Sequence, residues 1–233
     1  MGEPILLIHG FASNAATNWV DPQWVHTLTQ DGRRVIALDN RGHGQSDKLY
    51  DPVRYGAPEM ADDAIRLLDH LQIDRVDVLG YSMGARIAAF LAIAHPERVR
   101  SAVFGGLGIH MVRGMVGAGP LAAALEAPKL EDVTNDTARS FRIFAEQTNS
   151  DLKALAACMR GPREKVPPEK LAALTVPVLV AVGSKDVIGG SGAALAELIP
   201  NAQFLNIANS DHMRAVGDKQ FKQGVLAFLA SRI

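Results

Sequence analysis

The pentapeptide Gly80-Tyr81-Ser82-Met83-Gly84 sets a serine between two glycines. The β-prone run Val76-Asp77-Val78-Leu79 precedes it, and a small, apolar helical stretch from Met83 to Ala94 follows it. In that context the five residues read as a nucleophile elbow. Such a turn lifts one side chain above a sheet, and its glycines let backbone and helix pack close. The N-terminus of the following helix favours developing negative charge. A serine hydroxyl is a weak nucleophile at neutral pH and needs a base within hydrogen-bond reach. His212, in Ser210-Asp211-His212, follows the last β-prone run and precedes the last helical one, and loops at strand carboxyl ends are where α/β sheets gather their sites. His9 ends the first run and competes for the role, and His43 lies in a Gly-rich loop. His26, His70, His95 and His110 read as ordinary surface or loop residues. The base needs a carboxylate to fix its tautomer and to stabilise the imidazolium. Asp186 directly follows the fifth run and fits that task. Asp211 adjoins the histidine in sequence, but adjacent side chains seldom face each other, so it reads as a loop cap.

The elements that must position these residues alternate in type. Ile5–Ile8, Val35–Leu38, Val76–Leu79, Ala102–Phe104, Val178–Val182 and Gln203–Ile207 read as six strands. Near-continuous apolar runs suit a parallel sheet covered on both faces. Helical patterns fall between them at Pro58–Leu71, Met83–Ala94, Ser191–Leu198 and Lys219–Leu229, which predicts a doubly wound, mostly parallel sheet. The stretch 107–170 is too long for a crossover. It has helical patterns at Leu121–Glu126, Thr137–Gln147 and Asp151–Met159 and no convincing strand. It reads as a helical cap or lid inserted into a core made of 1–106 and 171–233.

Composition narrows the class. The chain has 233 residues, 48% of them hydrophobic, and a formal net charge of -1. That fits one packed domain and gives no electrostatic reason to expect nucleic acid or an anionic membrane as partner. Cys158 is the single cysteine, so no intrachain disulfide forms, which fits a reducing, cytoplasmic setting. No targeting segment is evident, and no apolar stretch is long enough to span a bilayer. His9, His43 and His212 lie in separate loops without metal-ligand spacing, so neither metal nor cofactor is expected.

Taken together, these motifs resemble the α/β-hydrolase superfamily along nearly the whole chain, most closely small bacterial serine esterases, lactonases and carbon–carbon bond hydrolases. The order Ser82, Asp186, His212 is the order of that fold's triad. His9-Gly10-Phe11 matches the family's His-Gly oxyanion motif. The resemblance implies that Phe11 and Met83 donate backbone N–H groups to the oxyanion and that His9 is structural. Asp39-Asn40-Arg41-Gly42-His43-Gly44-Gln45-Ser46 matches the family's Gly-rich loop, in which Asp39 and Arg41 are expected as braces. The rival reading, a phosphate cradle, lacks the Lys-Ser/Thr of a P-loop. Relatives that cleave haloalkanes or epoxides carry Asp at the elbow, which Ser82 argues against. The resemblance also implies about two strands ahead of the one ending in His-Gly. Here those strands are expected to be missing, which leaves Val35–Leu38 as a sheet edge and suggests a homodimer.

The expected reaction is acyl transfer from a small carboxylic ester through a Ser82 acyl-enzyme. Lactone hydrolysis, carbon–carbon cleavage and a slow-turnover small-molecule receptor stay open as alternatives. In the insertion Leu107, Ile109, Met111, Met115, Leu121, Leu125, Phe141, Phe144, Leu155 and Met159 are candidates for an apolar substrate wall or for helix packing. Arg113, Arg139 and Arg142 are candidates for binding a substrate carboxylate, with a solvated face as the plainer reading.

Overall fold

A computed structural model describes residues 2–114 and 117–232. Its six strands form one sheet. β1 (Pro4–Ile8) is followed by a single π-turn at Ala16–Val20, helix α1 (Trp24–Gln30), β2 (Arg34–Leu38) and α2 (Ala57–His70). Next come β3 (Val76–Tyr81), α3 (Met83–Ala94) and β4 (Val99–Gly105). Five helices then run in succession: α4 (His110–Arg113), α5 (Ala118–Glu126), α6 (Asp136–Gln147), α7 (Leu152–Arg160) and α8 (Pro168–Ala172). The chain closes with β5 (Val178–Gly183), α9 (Gly192–Ala196), β6 (Gln203–Ile207), α10 (His212–Ala215) and α11 (Lys219–Ser231). Strand order is β2-β1-β3-β4-β5-β6, and every pairing among the described residues is parallel. All six predicted strands are present, the sheet is wholly rather than mostly parallel, and β2 forms one edge.

The two-residue period of a strand explains how both faces are covered. Ile5 and Leu7 of β1, with Leu79 and Tyr81 of β3, pack against Trp24, Phe221 and Phe228 of α1 and α11. Leu6 and Ile8, with Val76 and Val78, pack against Met60, Leu68, Ile87 and Leu91 of α2 and α3. Covering both faces leaves little place for polar residues in the central strands, which is why β1 and β5 are wholly apolar apart from their terminal residues. A third cluster joins Leu121 and Leu125 of α5 to Leu155 and Met159 of α7 and reaches Phe11 and Tyr55 of the core. No helix among the described residues is long and apolar enough to cross a membrane.

Asp77 is the exception inside the sheet. Its carboxylate is buried on β3, where it accepts the Ser101 hydroxyl at 2.7 Å and faces Arg232 at 2.8 Å, Arg33 at 3.4 Å and Arg100 at 3.8 Å. Burial raises its pKa, and Ser101 and the three arginines pull it back down. Because Arg232 follows α11, Arg33 precedes β2 and Arg100 lies on β4, one carboxylate ties the last helix to the amino ends of neighbouring strands. Asp77→Ala is expected to lower stability by about 3 kcal/mol, since it removes the buried anion and leaves Arg33, Arg100 and Arg232 sharing only the exposed carboxylate of Glu3. A urea midpoint unchanged from the parent protein would refute this.

Candidate active site

The site is built where β3 turns into α3. Ser82 sits in that turn with φ 55° and ψ -112°, a strained backbone for a residue with a side chain. Two glycines make the turn possible. A Cβ on Gly84 would lie 1.9 Å from the carbonyl oxygen of Ile8, and one on Gly80 would lie 2.2 Å from the carbonyl oxygen of Gly84. The first turn of α3 can therefore rest directly on the ends of β1 and β3.

His212 and Asp186 come from the loops after β6 and β5. The Ser82 hydroxyl lies 3.0 Å from His212 Nε2, and His212 Nδ1 lies 2.8 Å from Asp186 Oδ2. In this arrangement Nδ1–H donates to the carboxylate and Nε2 is left to accept the serine proton. Asp186 Oδ1 accepts the N–H groups of Ile188 at 2.9 Å and Gly189 at 2.8 Å, so its other oxygen is held on the imidazole. Tyr81 donates its hydroxyl to the carbonyl of His212 at 2.5 Å and fixes that loop from below. The sequence reading passed over Tyr81, although it stands inside the elbow pentapeptide. Asp211 accepts the N–H groups of Met213 and Arg214 and caps α10, as expected.

The oxyanion loop has its own brace. His9 Nδ1–H donates to the carbonyl of Gly10 at 2.7 Å, and His9 Nε2 accepts the Asn40 N–H at 2.9 Å. That carbonyl belongs to the peptide whose N–H is Phe11's, so the imidazole sets the plane of the Phe11 N–H. Among the described residues no protein acceptor takes the N–H of Phe11 or of Met83. His9 is thereby removed as a competing base: both ring nitrogens are committed. His43 packs beside it, ring centroids 5.2 Å apart, with Nδ1 at 2.9 Å from the Arg41 carbonyl. Asp39 accepts the N–H groups of Ala15 and Gln45. Arg41 reaches outward instead, pairing with Asp63 of α2 at 2.7 and 2.8 Å.

Two cavities flank Ser82. One, about 240 Å³, lies toward Asn18, Phe144, His212 and Val216. The other, about 80 Å³, lies under the inserted helices and is lined by Met83, Leu121 and Met159 among others. Phe141 borders both. Of the other apolar candidates, Leu107 borders the smaller cavity, whereas Ile109, Met111, Leu125 and Leu155 border neither. Met115 lies outside the described residues. Arg142 is not on a solvated face. It is buried and donates to the carbonyls of Ala124 at 2.7 Å and Ala127 at 2.9 Å, because the end of α5 leaves those oxygens without helix partners. Arg113 and Arg139 border neither cavity. Arg86 and Arg163, which the sequence reading missed, border the smaller cavity together with His110, and Arg214 borders the larger. Arg86 left a visible signal, as the only charged residue within an otherwise apolar helix. Among the described residues no group of three His, Cys, Asp or Glu side chains is placed to hold a metal.

A family model described as the alpha/beta hydrolase fold matches residues 3–113. The chain has the α/β-hydrolase fold. It is 31% identical to the dihydrolipoyllysine-residue acetyltransferase component of the acetoin cleaving system of Pseudomonas putida, over 98% of this chain and 64% of that protein. It is 40% identical to the 2-hydroxymuconate semialdehyde hydrolase of Pseudomonas sp. strain CF600, over 45% of this chain and 36% of that one. The crystal structure of a hydrolase from Pseudomonas aeruginosa PA01 superposes with a TM-score of 0.75 at 25% identity, covering 99% of this chain and 91% of the other. The chain spans less than two thirds of the length of either curated relative.

Burial holds both oxyanion-side imidazoles neutral, pulling His9 down to about 4 and His43 to about 3. In the unfolded chain each takes up a proton near 6.5. Between those values the unfolded state binds more protons, so stability rises with pH across that window. Their contribution is complete above about pH 6.5 and is lost as pH falls toward 4. Urea midpoints are expected to drop between pH 7.5 and pH 5; a flat profile would show that these imidazoles are not buried in the neutral form.

Proposed function

We propose that this chain is a serine esterase acting on small carboxylic esters, with Ser82 as nucleophile, His212 as base and Asp186 as the orienting acid. The observation that carries this reading is the unbroken line from the serine hydroxyl through His212 to Asp186, at 3.0 and 2.8 Å. Ser82 Oγ attacks the ester carbonyl as its proton passes to His212 Nε2. The N–H groups of Phe11 and Met83 receive the oxyanion; losing one such donor typically raises the barrier by ~3–4 kcal/mol. Collapse breaks the carbon–oxygen bond of the ester, and His212 protonates the departing alcohol. Water then repeats the sequence on the acyl-enzyme and releases the acid. Asp186 stays ionised throughout. The segment 107–170 acts as a lid: its helices roof the smaller cavity, and Phe141 and Phe144 of α6 overhang the larger.

A second reading, hydrolytic cleavage of a carbon–carbon bond, is favoured by one observation, the 40% identity to a 2-hydroxymuconate semialdehyde hydrolase over 45% of this chain. The same triad would serve it.

The test is turnover of p-nitrophenyl acetate, butyrate and octanoate by the parent protein and by Ser82→Ala. The small cavities favour the two shorter chains, and the variant is expected to lose a factor on the order of 10⁴ or more. Equal rates for the two proteins would rule the esterase reading out.

A further inference from the structure

We propose that the smaller cavity is an anion subsite, so that the preferred ester carries a carboxylate at the far end of its acyl chain, bound by Arg86 and Arg163. This rests on the esterase reading above and narrows it to half-esters of short dicarboxylic acids. The cavity is bordered at once by Ser82, by Met83 and by both arginines. Arg86 stands four residues after Ser82 on α3, about one helical turn (~5.4 Å) along the axis. A chain of four to six carbons attached at Ser82 spans that distance.

The two guanidinium groups are held but not neutralised. Arg86 donates to the carbonyls of Met111 at 2.7 Å, His110 at 2.9 Å and Glu164 at 3.1 Å, which ties the two ends of the inserted segment to the nucleophile helix. Arg163, more exposed at the rim, donates to the carbonyls of Cys158 at 3.2 Å and Met159 at 3.3 Å. Carbonyl oxygens satisfy N–H groups without cancelling a full charge. These bonds leave Arg86 its Nε–H and one Nη2–H, and Arg163 its Nη1 amide protons, without a protein partner among the described residues. Neither arginine forms an ion pair with a carboxylate there. Burial lowers Arg86 to about 10, with the charge of Arg163 pushing the same way, and at neutral pH it stays protonated. Glu164 is the nearby anion, but its carboxylate is turned to the N–H of Ala57 at 3.2 Å. Lys165 lies against Gly114 on the rim and adds to the positive excess. A cation withdrawn from water gains most from an anion brought in with the ligand, and a guanidinium offers a carboxylate paired donors.

The test compares kcat/KM for monomethyl glutarate and methyl valerate, which share a five-carbon acyl chain and a methanol leaving group and differ in the terminal carboxylate. The parent protein is expected to favour the glutarate ester at least tenfold. Arg163→Gln should bring the ratio near one and Arg163→Lys should keep most of it, with thermal melts confirming that both variants fold. Hydrolysis of both esters at similar rates by the parent protein overturns the subsite and leaves the esterase reading intact. Hydrolysis of neither ester counts against the esterase reading. The subsite is then decided by calorimetry of glutarate with Ser82→Ala: binding that disappears in Ser82→Ala/Arg163→Gln supports it, and no binding, or binding that survives the second change, overturns it.

Discussion

The contact of Gly84 with the end of β1 is the constraint on which the rest depends. With 1.9 Å between a hypothetical Cβ at Gly84 and the Ile8 carbonyl, no other residue lets α3 begin where it does. That closeness forces Ser82 into its strained φ of 55°. It also places the first-turn N–H of Met83, unpaired like every helix start, over the carboxyl end of the sheet. The same approach brings His9-Gly10-Phe11, which leaves β1 at that point, alongside the serine. A Cβ on Gly10 would lie 3.4 Å from the Ser82 Cβ. The placement of Ser82 and of the N–H groups of Phe11 and Met83, the proposed nucleophile and oxyanion donors, thus follows from one packing contact between a helix and two parallel strands.

A strained turn persists only if its surroundings over-determine it. Here the surroundings are polar groups buried without charge. His9 and His43 stay neutral inside the loops that follow β1 and β2, and their hydrogen bonds to Gly10, Asn40 and Arg41 lock backbone that has no strand partner. Asp39 does the same for Ala15 and Gln45 with a carboxylate. The carboxylate–imidazole hydrogen bond in the centre, Asp186 with His212, joins the pair whose charge state the proposed reaction would change. Structural histidines neutral by burial and a working histidine beside a carboxylate divide the same side chain between two tasks by environment alone.

The sheet was legible because its central strands are covered on both faces and show as largely apolar runs; β6, Gln203–Ile207, is partly polar and largely exposed, and its aliphatic and aromatic residues alone marked it. The convergence of Ser82, Asp186 and His212 was legible because the chain punctuates strand ends with Gly-Tyr-Ser, Gly-Ser-Lys-Asp and Ser-Asp-His. Helix α1 was not legible. It has seven residues, and Gln23 enters it in a left-handed conformation without a side-chain cap, so neither periodicity nor capping marks it. The arginines were misassigned for a related reason. Arg142 carries an amphipathic helical pattern that suits a solvated face, but the carbonyls that α5 leaves open draw it inward. Arg86 went unremarked, because nothing local in sequence shows that the segment at 110–111 and 164 folds back over it.

That folding-back links the insertion to the chemistry. Arg86 leaves α3 one turn beyond the nucleophile and grips both the departing and the returning arm of the inserted helices, so the roof of the smaller cavity is fastened to the element that carries Ser82. A roof fastened in this way cannot shift at its base without disturbing a part-buried guanidinium. Helix α6 is held elsewhere: Arg142 ties it to α5, and the Thr148 hydroxyl at its end donates to the Ala12 carbonyl at 2.9 Å, which sets Phe141 between the two cavities and Phe144 beside the larger. On the lid reading, access to the serine falls to the aromatic side chains of α6, while discrimination by charge is built into the side that Arg86 anchors. Entry and recognition fall to different parts of one insertion, and the division follows from where Arg86 happens to leave the nucleophile helix.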